Sequence, residues 1–325
     1  MPFLWLDTAN TFRRACHASE SWHLLSLRAR VSSLRVNCMK THNQKVCLVT
    51  GANSGIGKEI ALGLAASGAH VIMVCRNSKK GQAVLDEIKT ISGSTSIDLL
   101  IADLSSQTEI RSLAKTIHDR YSTLHVLINN AGLVNSKKIL SVDGIEMTLA
   151  TNHLAPFLLT SLLMDLLKNS VPARIVNISS AVHKWAKLDL DDLQYEHRKY
   201  QGLRAYAQSK LLMNMVTFEL ARRLNGTGIT VNCIHPGAVK TGLGSNNAHN
   251  IILKLADRAI KFFFITPQQA VQASLYLSLS PEMENITGKY FVKDKSVPAS
   301  SISYDPVLAK KTWEISERLC GLTGQ

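Results

Sequence analysis

The stretch Val49-Thr50-Gly51-Ala52-Asn53-Ser54-Gly55-Ile56-Gly57-Lys58-Glu59-Ile60-Ala61 follows directly on the apolar run Val46-Cys47-Leu48. Three glycines fall within seven residues, after a run that reads as a strand and before one that reads as a helix. A chain turning this sharply brings its amides close to whatever lies in front of the turn. The start of the helix then offers unpaired N–H groups and a partial positive charge, which suit the pyrophosphate of a dinucleotide. The spacing is GxxxGxG, not the commoner GxGxxG, so the loop alone fits packing as well as it fits a ligand.

Outward from this loop, β-branched runs recur at Val46 to Thr50, Val71 to Cys75, Ile97 to Ala102, Val126 to Asn129, Ile175 to Ser179, Ile229 to Ile234 and Tyr290 to Val292. Between them, Ile56 to Ala66, Thr108 to His118, Ala205 to Leu224 and Pro267 to Leu279 carry helical periodicity. Strands that are apolar throughout, rather than alternating, are covered on both faces, as in a parallel sheet with helices on either side. The pattern predicts a single α/β domain over residues 44–325, a doubly wound, Rossmann-like parallel sheet. No Pro-rich, Ser/Gly-rich or repetitive linker divides it.

Residues 1–43 differ in character. Thr11 to Arg35 is rich in Arg, Ser, Leu and His and poor in acids, the composition of a mitochondrial transit segment, and equally of an untargeted extension. It lacks the apolar length of a membrane span. Mitochondrial and cytoplasmic locations both stay open. Net charge is +13, with six Lys/Arg against two Asp/Glu in the first 43 residues. The remaining basic residues are scattered and not set among aromatics, so they describe a solvated surface rather than a nucleic-acid interface. The six cysteines (Cys16, Cys38, Cys47, Cys75, Cys233, Cys320) form no CxxC pair. Three lie in strand-like runs as small hydrophobes, which suits a reducing compartment. Asn177-Ile-Ser, Asn225-Gly-Thr and Asn285-Ile-Thr match the glycosylation sequon by chance, since Asn177 falls in an expected buried strand. The histidines show no metal-ligand spacing, and His183 and His235 read as packing or pocket lining.

Two further positions carry chemistry. A dinucleotide fold places its ribose selector about 20 residues past the loop, at the end of the second strand. That position holds Arg76 rather than an acid, and a guanidinium forms charge-assisted bonds to a 2′-phosphate, which points to NADP(H). Tyr206 and Lys210 lie four apart on an expected helix and share a face. A lysine charge close to a phenol lowers its pKa by about one to three units, toward the range useful for proton transfer.

Four motifs in order, Gly51 to Gly57, Asn129-Asn130-Ala131-Gly132, Tyr206-Ala-Gln-Ser-Lys210 and His235-Pro236-Gly237, resemble the short-chain dehydrogenase/reductase superfamily. Arg174 to Ser180, Gly288 to Phe291 and Trp313 to Leu322 resemble its retinol dehydrogenase branch. The resemblance implies hydride transfer between NADP(H) and a hydrophobic alcohol, aldehyde or ketone, with retinal as the leading example and a steroid or xenobiotic carbonyl as the alternative. An NADP(H)-binding protein that has lost its chemistry is the rival from another class. The resemblance gives Tyr206 the role of general acid/base and Lys210 that of lowering its pKa and binding the nicotinamide ribose. Ser180 holds the substrate oxygen, with Ser179 as the neighbouring candidate, and Asn152 anchors a proton-relay water. Gly51, Asn53, Ser54, Gly55, Ile56, Gly57, Arg76, Asp103, Leu104, Asn130, Ala131, Gly132, Pro236, Gly237 and Thr241 take the cofactor-binding positions. Asn250 to Ile265, where such proteins place a substrate lid, has one polar and one apolar face; it suits an apolar pocket, a membrane surface or ordinary packing alike. Many members of the branch carry an N-terminal hydrophobic anchor that this sequence lacks. A homodimer is compatible with the resemblance, but no interface is legible.

Overall fold

A computed structural model describes residues 45–237 and 267–322. The extension 1–43, Thr241 and the Asn250 to Ile265 segment lie outside the described residues. Eight strands form one sheet in the order β3-β2-β1-β4-β5-β6-β7-β8. They are β1 (Val46–Thr50), β2 (His70–Cys75), β3 (Ile97–Ile101), β4 (Val126–Asn129), β5 (Ala173–Ile178), β6 (Ile229–His235), β7 (Tyr290–Val292) and β8 (Lys295–Val297). All neighbouring pairs are parallel except β7 with β8. The expected doubly wound sheet is therefore present, with an antiparallel edge strand that the sequence reading did not include.

The helices are α1 (Gly55–Ala66), α2 (Ser78–Ser92), α3 (Gln107–Arg120), α4 (Ala155–Leu162), α5 (Gly202–Arg223), α6 (Pro267–Leu279) and α7 (Pro306–Leu319). The two faces of β1 show why the strands read as unbroken apolar runs. Leu48 joins a core shared with α3, α4, α5 and α7, while Cys47 and Val49 join a second core shared with α1, α2 and α6. From Cys47 to Thr50 each side chain along the strand is withdrawn from water, whichever way it points. Asn177 is buried in β5 and bonded to Asn129 and Thr217, as expected of a chance sequon. Cys47, Cys75, Cys233 and Cys320 are buried free thiols.

The chain runs outward from β1 to β3 and then returns to β4 on the other side of β1. At such a reversal the connections leave in opposite directions, opening a crevice at the carboxyl ends of β1 and β4. The glycine loop, Arg76, Asp103, the Asn130–Gly132 segment, Ser180 and Pro236-Gly237 all follow strand ends on this edge.

Candidate active site

The glycine loop is held first by the protein itself. Thr50 Oγ1 accepts the N–H groups of Asn130 and Ala131, both at 3.0 Å. The Asn130 amide donates to the carbonyls of Thr50 at 2.8 Å and Gly51 at 3.3 Å. Gly51 and Gly55 have φ of +66° and +53°, in the left-handed region that side chains resist. At Gly57, a Cβ would lie 2.3 Å from the Gly51 carbonyl oxygen and 2.4 Å from Asn130 Nδ2. The closest neighbour that demands a glycine there is thus the loop's own backbone and the β4 end, not a ligand. In front of this clamped turn, Ser54 makes no side-chain cap and the first turn of α1 carries no acid, so the helix start stays open to an anion. Asn53 and Ile56 are half-buried in the same turn, and Ser54 and Gly55 are exposed.

Arg76 stands just past β2 with its side chain 68% exposed, Nη1 lying 3.4 Å from Asp103 Oδ2. Burial alone would raise the Asp103 pKa, but bonds from the Ser105 N–H and hydroxyl and the Arg76 cation hold it below the usual carboxylate range. Most of the Arg76 side chain faces solvent beyond this pairing. Leu104 is buried beside Asp103.

Three elements converge on the reacting end. β5 ends at Ile178, and Ser179 is committed to structure: its hydroxyl donates to Asn214 Oδ1 at 2.7 Å and its N–H to the Ile234 carbonyl at 2.7 Å. Ser180 is extended, and its hydroxyl accepts a long 3.5 Å bond from the Val182 N–H and stands close enough to the Tyr206 phenol to favour its ionised form. The geometry separates the two serines that the sequence left adjacent. α5 carries Tyr206 and Lys210 on one face, with Lys210 Nζ 5.8 Å from the Tyr206 ring centroid. The entry of α5 is fixed at Gly202, where a Cβ would lie 2.0 Å from the Asn135 carbonyl oxygen.

Asn152 sits in a π-helical segment, Ala150–Leu154, between the short helix Met147–Leu149 and α4. It is 0% exposed. Its Oδ1 accepts the Leu133 N–H at 2.8 Å, and its Nδ2 donates to the Leu133 carbonyl at 2.9 Å and Ser209 Oγ at 3.1 Å. The side-chain amide is thereby engaged in clamping the chain after β4 to the catalytic helix. Gly132 lies above it: a Cβ there would be 3.3 Å from Asn152 Oδ1 and 3.6 Å from Lys210 Nζ. Pro236 is buried and Gly237 has φ +84° at the far side of the crevice.

The electrostatics differ from the expectation that Lys210 by itself lowers the Tyr206 pKa. Burial pushes the Tyr206 phenol up, and the Ser180 hydrogen bond opposes this only in part. Burial also pulls Lys210 down from 10.5 to about 8, and its ammonium donates to the Ile178 carbonyl at 2.8 Å instead of the phenol. Both groups are desolvated toward their neutral forms, which sequence spacing could not show. A buried ammonium with one acceptor among three donors retains hydrogens for ribose hydroxyls, so the residues present fit a nicotinamide nucleotide.

This crevice, with an open helix start at one end and a Ser–Tyr–Lys cluster at the other, defines an oxidoreductase that works with a nicotinamide cofactor. The family model described as short chain dehydrogenase matches residues 45–251, and the chain belongs to that family. Human retinol dehydrogenase 13 is 39% identical over 281 residues, covering 86% of this chain and 85% of its own. Human retinol dehydrogenase 11 is 41% identical over 278 residues, covering 86% of each. Among solved structures, an uncharacterized protein from Mycobacterium paratuberculosis superposes with a TM-score of 0.68 at 30% identity, covering 85% of this chain and 93% of its own. Pseudomonas aeruginosa RhlG, solved as an NADP active-site complex, superposes at 0.62 with 27% identity, covering 78% of this chain and 97% of its own.

Sequence reasoning did not single out Thr50, which bonds two N–H groups across the crevice, or the Asn135–Gly202 contact. The signal for Thr50 is a polar residue at the end of an otherwise apolar strand; residue type gives none for Asn135, because its carbonyl makes the contact.

Two outcomes are expected. Gly57→Ala should lose about 2–3 kcal/mol in urea unfolding and bind NADPH at least tenfold more weakly, because the added carbon collides with backbone rather than a yielding side chain. For Lys210, between pH of about 8 and 10.5 the unfolded chain holds a proton that the folded chain has lost, so rising pH favours the folded state. Relative to Lys210→Met, the cofactor-free wild type should therefore gain stability across that window, by about 3 kcal/mol at most, in denaturant melts at stepped pH.

Proposed function

We propose that the protein interconverts a hydrophobic alcohol and its aldehyde or ketone using NADP(H), retinal being the leading substrate. The observation that carries this reading is the cluster of a buried Lys210 ammonium 5.8 Å from the Tyr206 ring with Ser180 against the phenol. NADP(H), when bound, supplies or accepts the hydride. The glycine loop and the start of α1 receive its diphosphate, Arg76 its 2′-phosphate, and Lys210 its nicotinamide ribose. Ser180 orients the substrate oxygen by hydrogen bonding. Tyr206 donates its phenolic proton to that oxygen in reduction and takes it back in oxidation. A reduced cellular NADP pool favours the reductive direction. The 39–41% identity with retinol dehydrogenases supports the apolar substrate class, as does the intact proton-transfer cluster against a silent cofactor-binding role. Among the described residues no helix is long and apolar enough to cross a membrane.

Two experiments test this. Tyr206→Phe should lower kcat for retinal reduction by roughly a thousandfold or more while NADPH affinity stays within about twofold; unchanged turnover removes Tyr206 from the mechanism. Arg76→Asp should weaken NADPH by about a hundredfold and bring NADH level with it or above, measured as the ratio of kcat/KM values. A ratio that does not move assigns the selection to another residue.

A further inference from the structure

We propose that His183 is a positioning residue of the reaction: its Nδ1–H holds the Ser180 carbonyl while its Nε2 accepts the Ser300 N–H, tying the serine that meets the substrate to the C-terminal arm. This rests on the reading of Ser180 given above.

The ring is 1% exposed and lies on the 3-10 turn Ala181–Trp185 that Ser180 begins. Its two nitrogens face partners whose roles are not interchangeable. Nε2 lies 3.1 Å from the main-chain N–H of Ser300, which can only donate. That nitrogen is therefore the unprotonated acceptor, and the ring proton is on Nδ1. Nδ1 lies 2.7 Å from the Ser180 carbonyl oxygen, which can only accept. A neutral imidazole satisfies both ends at once, and an imidazolium would set a donor against the Ser300 donor. The Tyr290 ring packs 4.9 Å away and fixes the plane of the imidazole.

What this bridge does follows from the contrast between the two serines. Ser179 is anchored by the sheet through the Ile234 carbonyl and by its own hydroxyl through Asn214. The Ser180 hydroxyl has no comparable anchor within the fold, because it must be available to the phenol and the substrate oxygen. Its position then depends on its main chain, where the carbonyl accepts the His183 N–H at 3.2 Å as well as Nδ1–H. The turn alone supplies the first of these bonds. The second reaches through the ring to Ser300, 117 residues further along the chain. His235, the other buried histidine near this site, leaves its Nδ1 unpartnered among the described residues, so bridging is particular to His183.

The test is a double-mutant cycle on the full chain, read as kcat for retinal with NADPH together with NADPH affinity from cofactor fluorescence. His183→Gln keeps an acceptor within reach of Ser300 but loses the donor to Ser180. His183→Asn places an amide N–H where Nδ1 stands and keeps that donor. With Ser180 present, each variant cuts the bridge at one end, so His183→Gln and His183→Asn should each lower kcat about tenfold, both with NADPH affinity within twofold of wild type. In a Ser180→Ala background, whose residual rate is read at high enzyme concentration, His183→Gln should cost less than about twofold, since there is no hydroxyl left to position. Equal losses in both backgrounds, or a His183→Gln or His183→Asn variant that keeps the wild-type kcat, would overturn the inference. A fully active Ser180→Ala would overturn the Ser180 reading along with it, so the two failures are distinct. Should His183→Gln not fold, Ser300→Pro takes its place: Ser300 has φ of −66°, which proline adopts, so the change removes the N–H while Ser300→Ala controls for the side chain. Ser300→Pro should then lower kcat relative to Ser300→Ala only where Ser180 is present, and a loss independent of Ser180 counts against the proposal.

Discussion

The Lys210 amine is taken out of water at the carboxyl edge of the sheet, and the surrounding structure is arranged around that one group. Ile178 ends its strand with a carbonyl aimed at the ammonium. Gly132 withholds a side chain so that Lys210 and Asn152 can approach the crevice. Tyr206 shares the desolvation, which is why neither group keeps its ordinary pKa. Isolated buried charges are destabilising unless something compensates them, and among the described residues the Ile178 carbonyl is the acceptor that meets this one.

The parts that hold this arrangement come from far along the chain. The π segment containing Asn152 is packed against α7: His153 Nε2 lies 2.8 Å from Ser316 Oγ, and Phe157 meets Trp313 edge to face at 4.8 Å. Trp313 in turn lies under Arg223 at the end of the catalytic helix, 4.0 Å from its guanidinium carbon. Gln107 and Arg111, at the start of α3, bond the last carbonyls of α7 and its cap at Leu319 and Cys320. The start of α3, the Asn152 segment and the end of α5 are thus braced by the same C-terminal helix.

Much of this was legible in the residues. β1, β4 and β7 coincide with the apolar runs that marked them, because burial on both faces leaves an uninterrupted signal. β8 left none: Lys295-Ser296-Val297 is a largely exposed edge, and its turn places Lys293 at φ +59° where glycine or asparagine would have announced a hairpin. The π segment was hidden for a related reason, since one extra residue in a turn shifts helical phase without changing composition. The short helix Met147–Leu149 that leads into it is capped by Glu146, outside the usual capping set, whose carboxylate accepts the Thr148 and Leu149 N–H groups. Tyr206 and Lys210 were readable from their spacing on one helix, but their shared desolvation depends on what lies above them. The glycine loop was read as making room for a ligand, and at Gly57 the room is needed by Gly51 and Asn130 instead. The bond from His183 to Ser300 joins segments that no local pattern relates.

The strand order has a consequence for how such a molecule comes into being. β1 is bordered by β2 and by β4, and the Val46 N–H is received by the ring of His125, 79 residues later. A chain emerging from a ribosome can assemble β3-β2-β1-β4 as one block, because those strands are the first to be made and lie together in space. Contacts of such long sequence separation form slowly, and until they do the first strand exposes an apolar edge. Ser180, Tyr206 and Lys210 lie in segments made later, as do the helices that complete the cores on both faces of these strands.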